Sequence, residues 1–183
     1  MTEAIIILAL IIANGLFSGA ELAVISLRKT RLRELIDEGH ARARAVQALR
    51  DQPERFLATV QSAITVIGAA AAAFGGDVFA ERLARLVAHS GLLAPYAKQI
   101  GFALVVGTIS FLSLVLGELV PKSLALRSNE GYAMFMGPVL LGLSHISRPF
   151  IWILTSASNL VLRLFGDKTS FTEARLSPEE IRE

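Results

Sequence analysis

The chain has 183 residues, of which 53% are hydrophobic and only 19% are charged, against roughly 25% charged residues in an average soluble domain. The net charge of +2 is too small to suggest nucleic-acid binding. Without cysteine, the chain has no disulfide, thiolate metal site or cysteine nucleophile. Long apolar runs alternate with a dense basic stretch. The composition therefore predicts an all-α integral membrane protein.

The first apolar run is long enough to span a bilayer core, and its second half is polar on one side. Asn14, Ser18 and Glu21 recur at helical spacing and share one helix face. Gly15 and Gly19 form a G-x-x-x-G pair, which lets another helix backbone approach closely. This pattern is typical either of helix packing alone or of a polar site lined by protein.

A basic, amphipathic segment follows the first span. Short basic loops stay in the cytoplasm, so we expect the N-terminus outside the cell and this segment on the inner membrane face. Its apolar residues recur at helical spacing on both sides of Gly39, which predicts two helices that lie along the membrane. A position between two membrane spans argues against a nucleic-acid-binding arm. The basic residues are Arg28, Lys29, Arg31, Arg33, Arg42, Arg44 and Arg50.

The second apolar run begins after Pro53, which suits the first turn of a helix. Its polar residues include Ser62 and Thr65, which share a helix face at positions i and i+3. Either hydroxyl can bond to its own helix backbone, so neither one alone identifies a site.

The third apolar run ends in the sequence GELVPK, which contains a carboxylate and a proline. Glu118 would be costly in a membrane without a partner or water, and such a residue marks a function by default. Pro121 has no N–H and its ring pushes against the carbonyl of Gly117, four residues back. A carboxylate and a released backbone oxygen suit a small, hard cation. The alternative is that Glu118 lies near the inner headgroups, paired with Lys122 at i and i+4.

The remaining segments complete the predicted topology. Residues 132–165 are apolar but contain Gly137-Pro138 and Arg148-Pro149, which predict broken helices along the cytoplasmic interface. A fourth span is the alternative, but it would place the basic residues of the tail outside the cell. Residues 167–183 predict the start of a soluble helix, with the chain ending before its cytosolic domains. The predicted spans are about 5–27, 54–87 and 98–126, with juxtamembrane helices at about 30–50 and 132–165.

Three stretches resemble, in family order, the transmembrane domain of the CNNM/CorC family: NGLFSGAELAVISLRKTRLREL, FLATVQSAITVIGAAAAAFGG and GELVPKSLALR. The resemblance implies that residues 1–166 are a magnesium-transporting domain of the cell inner (plasma) membrane. It implies a homodimer in the lipid bilayer, with three spans and cytosol-facing juxtamembrane helices. In full-length relatives an acidic helical bundle follows, then CBS modules that bind ATP. Residues 167–183 resemble the start of that bundle, so no nucleotide site carries over.

The resemblance also implies an ion site built from serine hydroxyls, a glutamate and backbone carbonyls of all three spans. By motif position, Ser18, Ser62 and Glu118 match the family's ligands, with Thr65 as the alternative in the second span. The Gly117 carbonyl joins this set, and Pro121 marks the break in the helix. The additional candidates are Asn14, Glu21 and Ser113.

The resulting hypothesis is a Mg²⁺ efflux protein that works by alternating access, with Na⁺ as the candidate coupling ion. One carboxylate leaves bound Mg²⁺ with a net positive charge, which favours reversible binding. The alternatives are a non-transporting Mg²⁺ sensor or scaffold, and a transporter of Co²⁺ or Mn²⁺, since oxygen ligands do not exclude Mn²⁺. An enzyme is disfavoured, because Ser18 lacks a G-x-S-G context and the chain has no H-E-x-x-H motif.

Overall fold

The computed structural model describes residues 2–88 and 94–164, and every regular element within these ranges is helical. The predicted start of a soluble helix at residues 167–183 lies outside the described residues. A 3₁₀ turn at Ala94–Tyr96 precedes the fifth helix, and a π-helical turn at Val115–Leu119 follows it. The helices are α1 (Thr2–Ser26), α2 (Lys29–Asp37), α3 (Ala41–Arg50), α4 (Pro53–Ala88), α5 (Ala97–Leu114), α6 (Val120–Arg127), α7 (Asn129–Ile146) and α8 (Arg148–Leu164).

Three of these segments are long and apolar enough to cross a membrane. They are α1, α4 and the continuous unit Ala94–Arg127, with 25, 36 and 34 residues against the roughly 20 that a span requires. The helices α7 and α8 pass the same test only as a pair, which is bent by 65°. The all-α fold with three membrane spans is therefore confirmed. The orientation of the spans and the homodimer stay predictions.

The bend between α7 and α8 lies at Ser147, next to Arg148-Pro149. The expectation of a second break at Gly137-Pro138 is wrong, because α7 continues through Pro138. Gly137 serves packing instead, since a Cβ atom there would lie 2.7 Å from Cγ2 of Val46 on α3. The buried face of α7 lies in the core and holds the helix together across the missing N–H of Pro138.

The two juxtamembrane helices meet at Gly39, as the sequence predicts. Gly39 has a φ of +86°, a left-handed conformation that glycine adopts without steric cost. The two helices bury Leu32, Leu35, Val46 and Leu49 against the other helices. We use the name "basic end of the bundle" for one region of the structure. It consists of the end of α1, the helices α2 and α3, and the start of α4.

An ion pair joins α2 to α7 at the basic end. The Nε and Nη2 atoms of Arg31 donate to the Glu130 carboxylate at 2.9 and 3.1 Å, and Nη1 donates to Glu34 at 3.0 Å. These acceptors raise the pKa of Arg31 above its ordinary value. Because the Arg31 and Glu130 side chains are 40% and 42% exposed, water and salt screen the pair, and its contribution to stability is small. Asn129 also donates to the Ser26 carbonyl at 3.3 Å, which ties the start of α7 to the end of α1.

We expect Gly101→Ala to destabilise the packing of α5 on α4. A Cβ atom at Gly101 would lie 2.8 Å from the Ala84 nitrogen and 2.9 Å from the Ala80 oxygen, and the backbone of α4 cannot rotate away. Overpacking of this kind costs about 1–3 kcal/mol, or roughly 2–12 °C in melting temperature. Gly107→Ala is the matched control on the same helix, because no atom lies within 4 Å of its Cβ position. Equal melting temperatures for the two variants would contradict this packing.

Candidate ion site

The third span changes its helical geometry at the predicted motif. Residues Val115–Leu119 form a π-helical turn that contains Gly117 and Glu118, and the Val120 N–H bonds to the Val115 carbonyl five residues back. Pro121 follows in the first turn of α6. A π turn widens the helix and is frequent at functional sites. The span therefore continues through the motif with one irregular turn.

The carbonyl of Gly117 is held by the first span. Asn14 donates from Nδ2 to this oxygen at 3.1 Å, and the contact is buried. Pro121 has no N–H with which to occupy the carbonyl, so the donor comes from another helix. A Cβ atom on Gly117 would lie 3.2 Å from Asn14 Nδ2 and 3.3 Å from the Ile11 oxygen, so only glycine fits here without a local shift. A buried hydrogen bond thus connects the irregular turn directly to α1.

The predicted G-x-x-x-G pair lets the backbone of α1 lie close to the irregular turn. A Cβ atom on Gly15 would lie 2.8 Å from Pro121 Cγ and 3.1 Å from the Leu116 oxygen. A Cβ atom on Gly19 would lie 3.1 Å from the Pro121 oxygen and 3.0 Å from the Tyr132 hydroxyl. The backbone of α1 therefore packs against both sides of the irregular turn.

Two oxygens on α1 are buried without a hydrogen-bond partner in the described part of the chain. They are Oγ of Ser18, whose residue is 0% exposed, and Oδ1 of Asn14, whose residue is 6% exposed. The two residues are one helical turn apart on the face that the sequence marks as polar. Leaving such a group unsatisfied costs about 1–3 kcal/mol, so native proteins rarely bury one without a use. A cation or a water molecule is the kind of partner that such oxygens accept.

Glu118 takes part in an ion pair with its own helix neighbour. Its Oε1 accepts a hydrogen bond from Lys122 Nζ at 2.7 Å, and the side chains are 37% and 33% exposed. This is the pairing that the sequence offers as the alternative to a ligand role. In this conformation, a cation that binds Oε1 of Glu118 has to displace the Lys122 ammonium.

The remaining candidates are less closely tied to this region. Ser62, Glu21 and Ser113 are partly buried on α4, α1 and α5. Thr65 is exposed and donates to the Gln61 carbonyl at 2.8 Å, so its hydroxyl bonds to its own helix. Residues 2–88 and 94–164 contain no cluster of three or more histidine or acidic side chains that could hold a metal. A site built from the candidate residues would therefore be made mainly of neutral oxygens.

Sequence reasoning placed Asn14 beside Ser18 but did not pair it with Gly117. The signal was present, because a carbonyl released by Pro121 in a membrane requires a donor. The π-helical turn was also missed, since π turns have no periodic pattern that distinguishes them from an α-helix.

The three spans, with an irregular third span packed on a polar face of the first, define a multi-pass membrane domain with buried polar groups between its helices. The chain belongs to the CNNM family: the family model described as the cyclin M transmembrane N-terminal domain matches residues 5–183. The family predicted from the sequence is thus confirmed.

Relatives occur in distant bacteria. The chain is 41% identical to the UPF0053 protein sll0260 of Synechocystis, over 98% of this chain and 40% of the relative. It is 30% identical to the UPF0053 protein YhdP of Bacillus subtilis, over 97% of this chain and 40% of the relative. It is 27% identical to the polyamine export protein of Haemophilus influenzae, over 89% of this chain and 38% of the relative. The chain therefore spans about two fifths of the length of these relatives.

Proposed function

We propose that this domain carries Mg²⁺ across the membrane through a site between α1 and the irregular turn of the third span. The observation that carries the proposal is the pair of orphaned, buried oxygens on Ser18 and Asn14. Mg²⁺ takes oxygen ligands in near-octahedral geometry and usually keeps several waters, so it can be bound by a few protein oxygens. Ser18 Oγ, Asn14 Oδ1 and a Glu118 carboxylate oxygen are the ligands we propose, with Ser62 as the contribution of α4.

The Glu118–Lys122 ion pair suggests how the site releases its ion. When Mg²⁺ is bound, the Glu118 carboxylate contacts the ion and Lys122 is displaced. When the ion leaves, Lys122 returns and neutralises the carboxylate. Irregular helices at a binding site are common in transporters that work by alternating access. In our proposal each protomer of a homodimer carries one such site, with Na⁺ as the candidate coupling ion.

Polyamine export is the second candidate. Glu118 already holds a primary ammonium, that of Lys122, at 2.7 Å. A polyamine carries the same group and would compete for the same carboxylate. The Haemophilus influenzae relative is named a polyamine export protein, which gives this substrate class independent support.

Flux measurements in proteoliposomes would decide between the two substrates. Vesicles containing the purified protein are loaded with a Mg²⁺-sensitive dye or with radiolabelled spermidine, and an outward or inward gradient is applied. We expect Mg²⁺ flux that Glu118→Gln abolishes, with little spermidine flux. Spermidine flux without Mg²⁺ flux would establish the second candidate. Mg²⁺ binding without either flux would contradict transport and support a sensor or scaffold.

A further inference from the structure

A cavity of about 410 Å³ lies at the basic end of the bundle, away from the proposed ion site. It is lined by the end of α1, the helices α2 and α3, and the start of α4. Its lining combines charged and apolar side chains. The cationic lining residues are Lys29, Arg33 and Arg50.

Three of the four charged lining residues are cationic. Among the side chains that the structure describes, no acidic group lies within 4.0 Å of the Lys29 or Arg33 nitrogens, and both of these side chains are exposed. The one acidic lining residue, Asp51, accepts a hydrogen bond from Gln47 at 2.7 Å. Arg50 is partly buried and donates from Nη1 to the Leu27 carbonyl, which holds its guanidinium at the cavity wall.

Apolar lining residues of the cavity come from two of the spans. Val24 and Ile25 come from α1, and Phe56 and Leu57 come from α4, both of which are spans. Ile25 is 51% exposed although it lies one residue from the end of α1. Because α2 begins only three residues beyond the end of α1, Lys29 and Arg33 lie close to the end of a span.

We propose that this cavity binds the headgroup of an anionic phospholipid. The phosphate lies among Lys29, Arg33 and Arg50, and an acyl chain runs along Ile25 and Leu57. Clustered Lys and Arg side chains directly beside a span attract anionic lipids, and the geometry here adds a concave volume with apolar lining residues. The inference does not depend on which ion or amine the protein transports.

Lipid binding to the purified protein in detergent, followed by native mass spectrometry, tests the proposal. Phosphatidylglycerol is the probe, phosphatidylcholine with the same acyl chains is the neutral comparison, and glycerol 3-phosphate represents the free headgroup. We expect Arg33→Gln and Lys29→Gln each to weaken phosphatidylglycerol binding about fivefold. Arg44→Gln is the matched control, since it removes the same charge from an exposed position of α3 that does not line the cavity. Arg33→Lys is expected to restore most of the affinity.

Each other outcome would overturn the proposal. If Arg44→Gln weakened binding as much as Arg33→Gln, the attraction would be a general effect of surface charge. Equal binding of phosphatidylcholine would show that the cations are not involved. Equal affinity for glycerol 3-phosphate would identify a site for a free phosphate ester, without a role for the apolar lining residues.

Discussion

Glu118→Gln is expected to remove the stabilisation of the purified protein by Mg²⁺ and to lower its Mg²⁺ affinity by roughly 100-fold or more. The substitution keeps the shape of the side chain but removes the one carboxylate we assign to the site. Changes beyond the direct ligands of a metal already cost about 10–100-fold in affinity, so loss of a charged ligand should cost at least as much. Because both side chains are about one-third exposed, loss of the ion pair with Lys122 should itself cost no more than about 1 kcal/mol.

The measurement is the melting temperature in detergent at rising MgCl₂, with CaCl₂ as comparison. At a Mg²⁺ concentration of about 100 Kd, binding to the folded state alone adds about 2.7 kcal/mol, or roughly 5–10 °C for a chain of this size. We expect this rise in the unmodified protein, selective for Mg²⁺, and its absence in Glu118→Gln.

Lys122→Met is the informative companion variant. It removes the ammonium that competes for the Glu118 carboxylate, so we expect a higher Mg²⁺ affinity than in the unmodified protein. If Glu118 serves only as the structural partner of Lys122, the two variants should instead have similar melting temperatures and an unchanged response to Mg²⁺. That result would remove Glu118 from the site.

Ser18→Ala is expected to have opposite effects on the Mg²⁺-free and Mg²⁺-bound protein. The Ser18 hydroxyl is fully buried with no partner among the described residues. Its removal should therefore leave the Mg²⁺-free protein at least as stable as the unmodified protein, with a gain of at most about 3 kcal/mol. The same change removes a proposed ligand and should lower Mg²⁺ affinity by roughly tenfold or more. Melting curves with and without MgCl₂ measure both quantities in one experiment.

Two further serine substitutions sharpen this test. Ser110→Ala is the matched control, because Ser110 is exposed on α5, and we expect neither effect there. The Mg²⁺ affinity of Ser62→Ala tests whether α4 supplies a ligand. A Ser18→Ala protein that binds Mg²⁺ normally would exclude the hydroxyl from the site, and a large loss of Mg²⁺-free stability would show that it has a structural role.

Much of the fold follows from local sequence alone. The lengths of the apolar runs predict three spans, because a bilayer core requires about 20 apolar residues in a helix. Helical periodicity predicts the shared face of Asn14 and Ser18, and the backbone freedom of glycine predicts the separation of α2 from α3 at Gly39. Each of these features depends on residues within a few turns of one another.

Other features were decided only when distant segments packed together. Gly137-Pro138 has the composition of a helix break, yet α7 continues because Gly137 lets α3 approach and the buried face of α7 holds the helix in the core. The ion pair of Glu118 with Lys122 differs, because its two residues lie four positions apart and the sequence already offers the pairing.

The same division applies to the candidate site. From the sequence alone, Pro121 determines that the Gly117 carbonyl loses its helical donor, because proline has no N–H. The packing of α1 on the third span determines which group replaces that donor. It brings Asn14 to the Gly117 carbonyl although the two residues are 103 positions apart in the sequence. Local periodicity can place Asn14 on a helix face, but only the close approach at Gly15 and Gly19 brings that face within hydrogen-bond distance of the carbonyl.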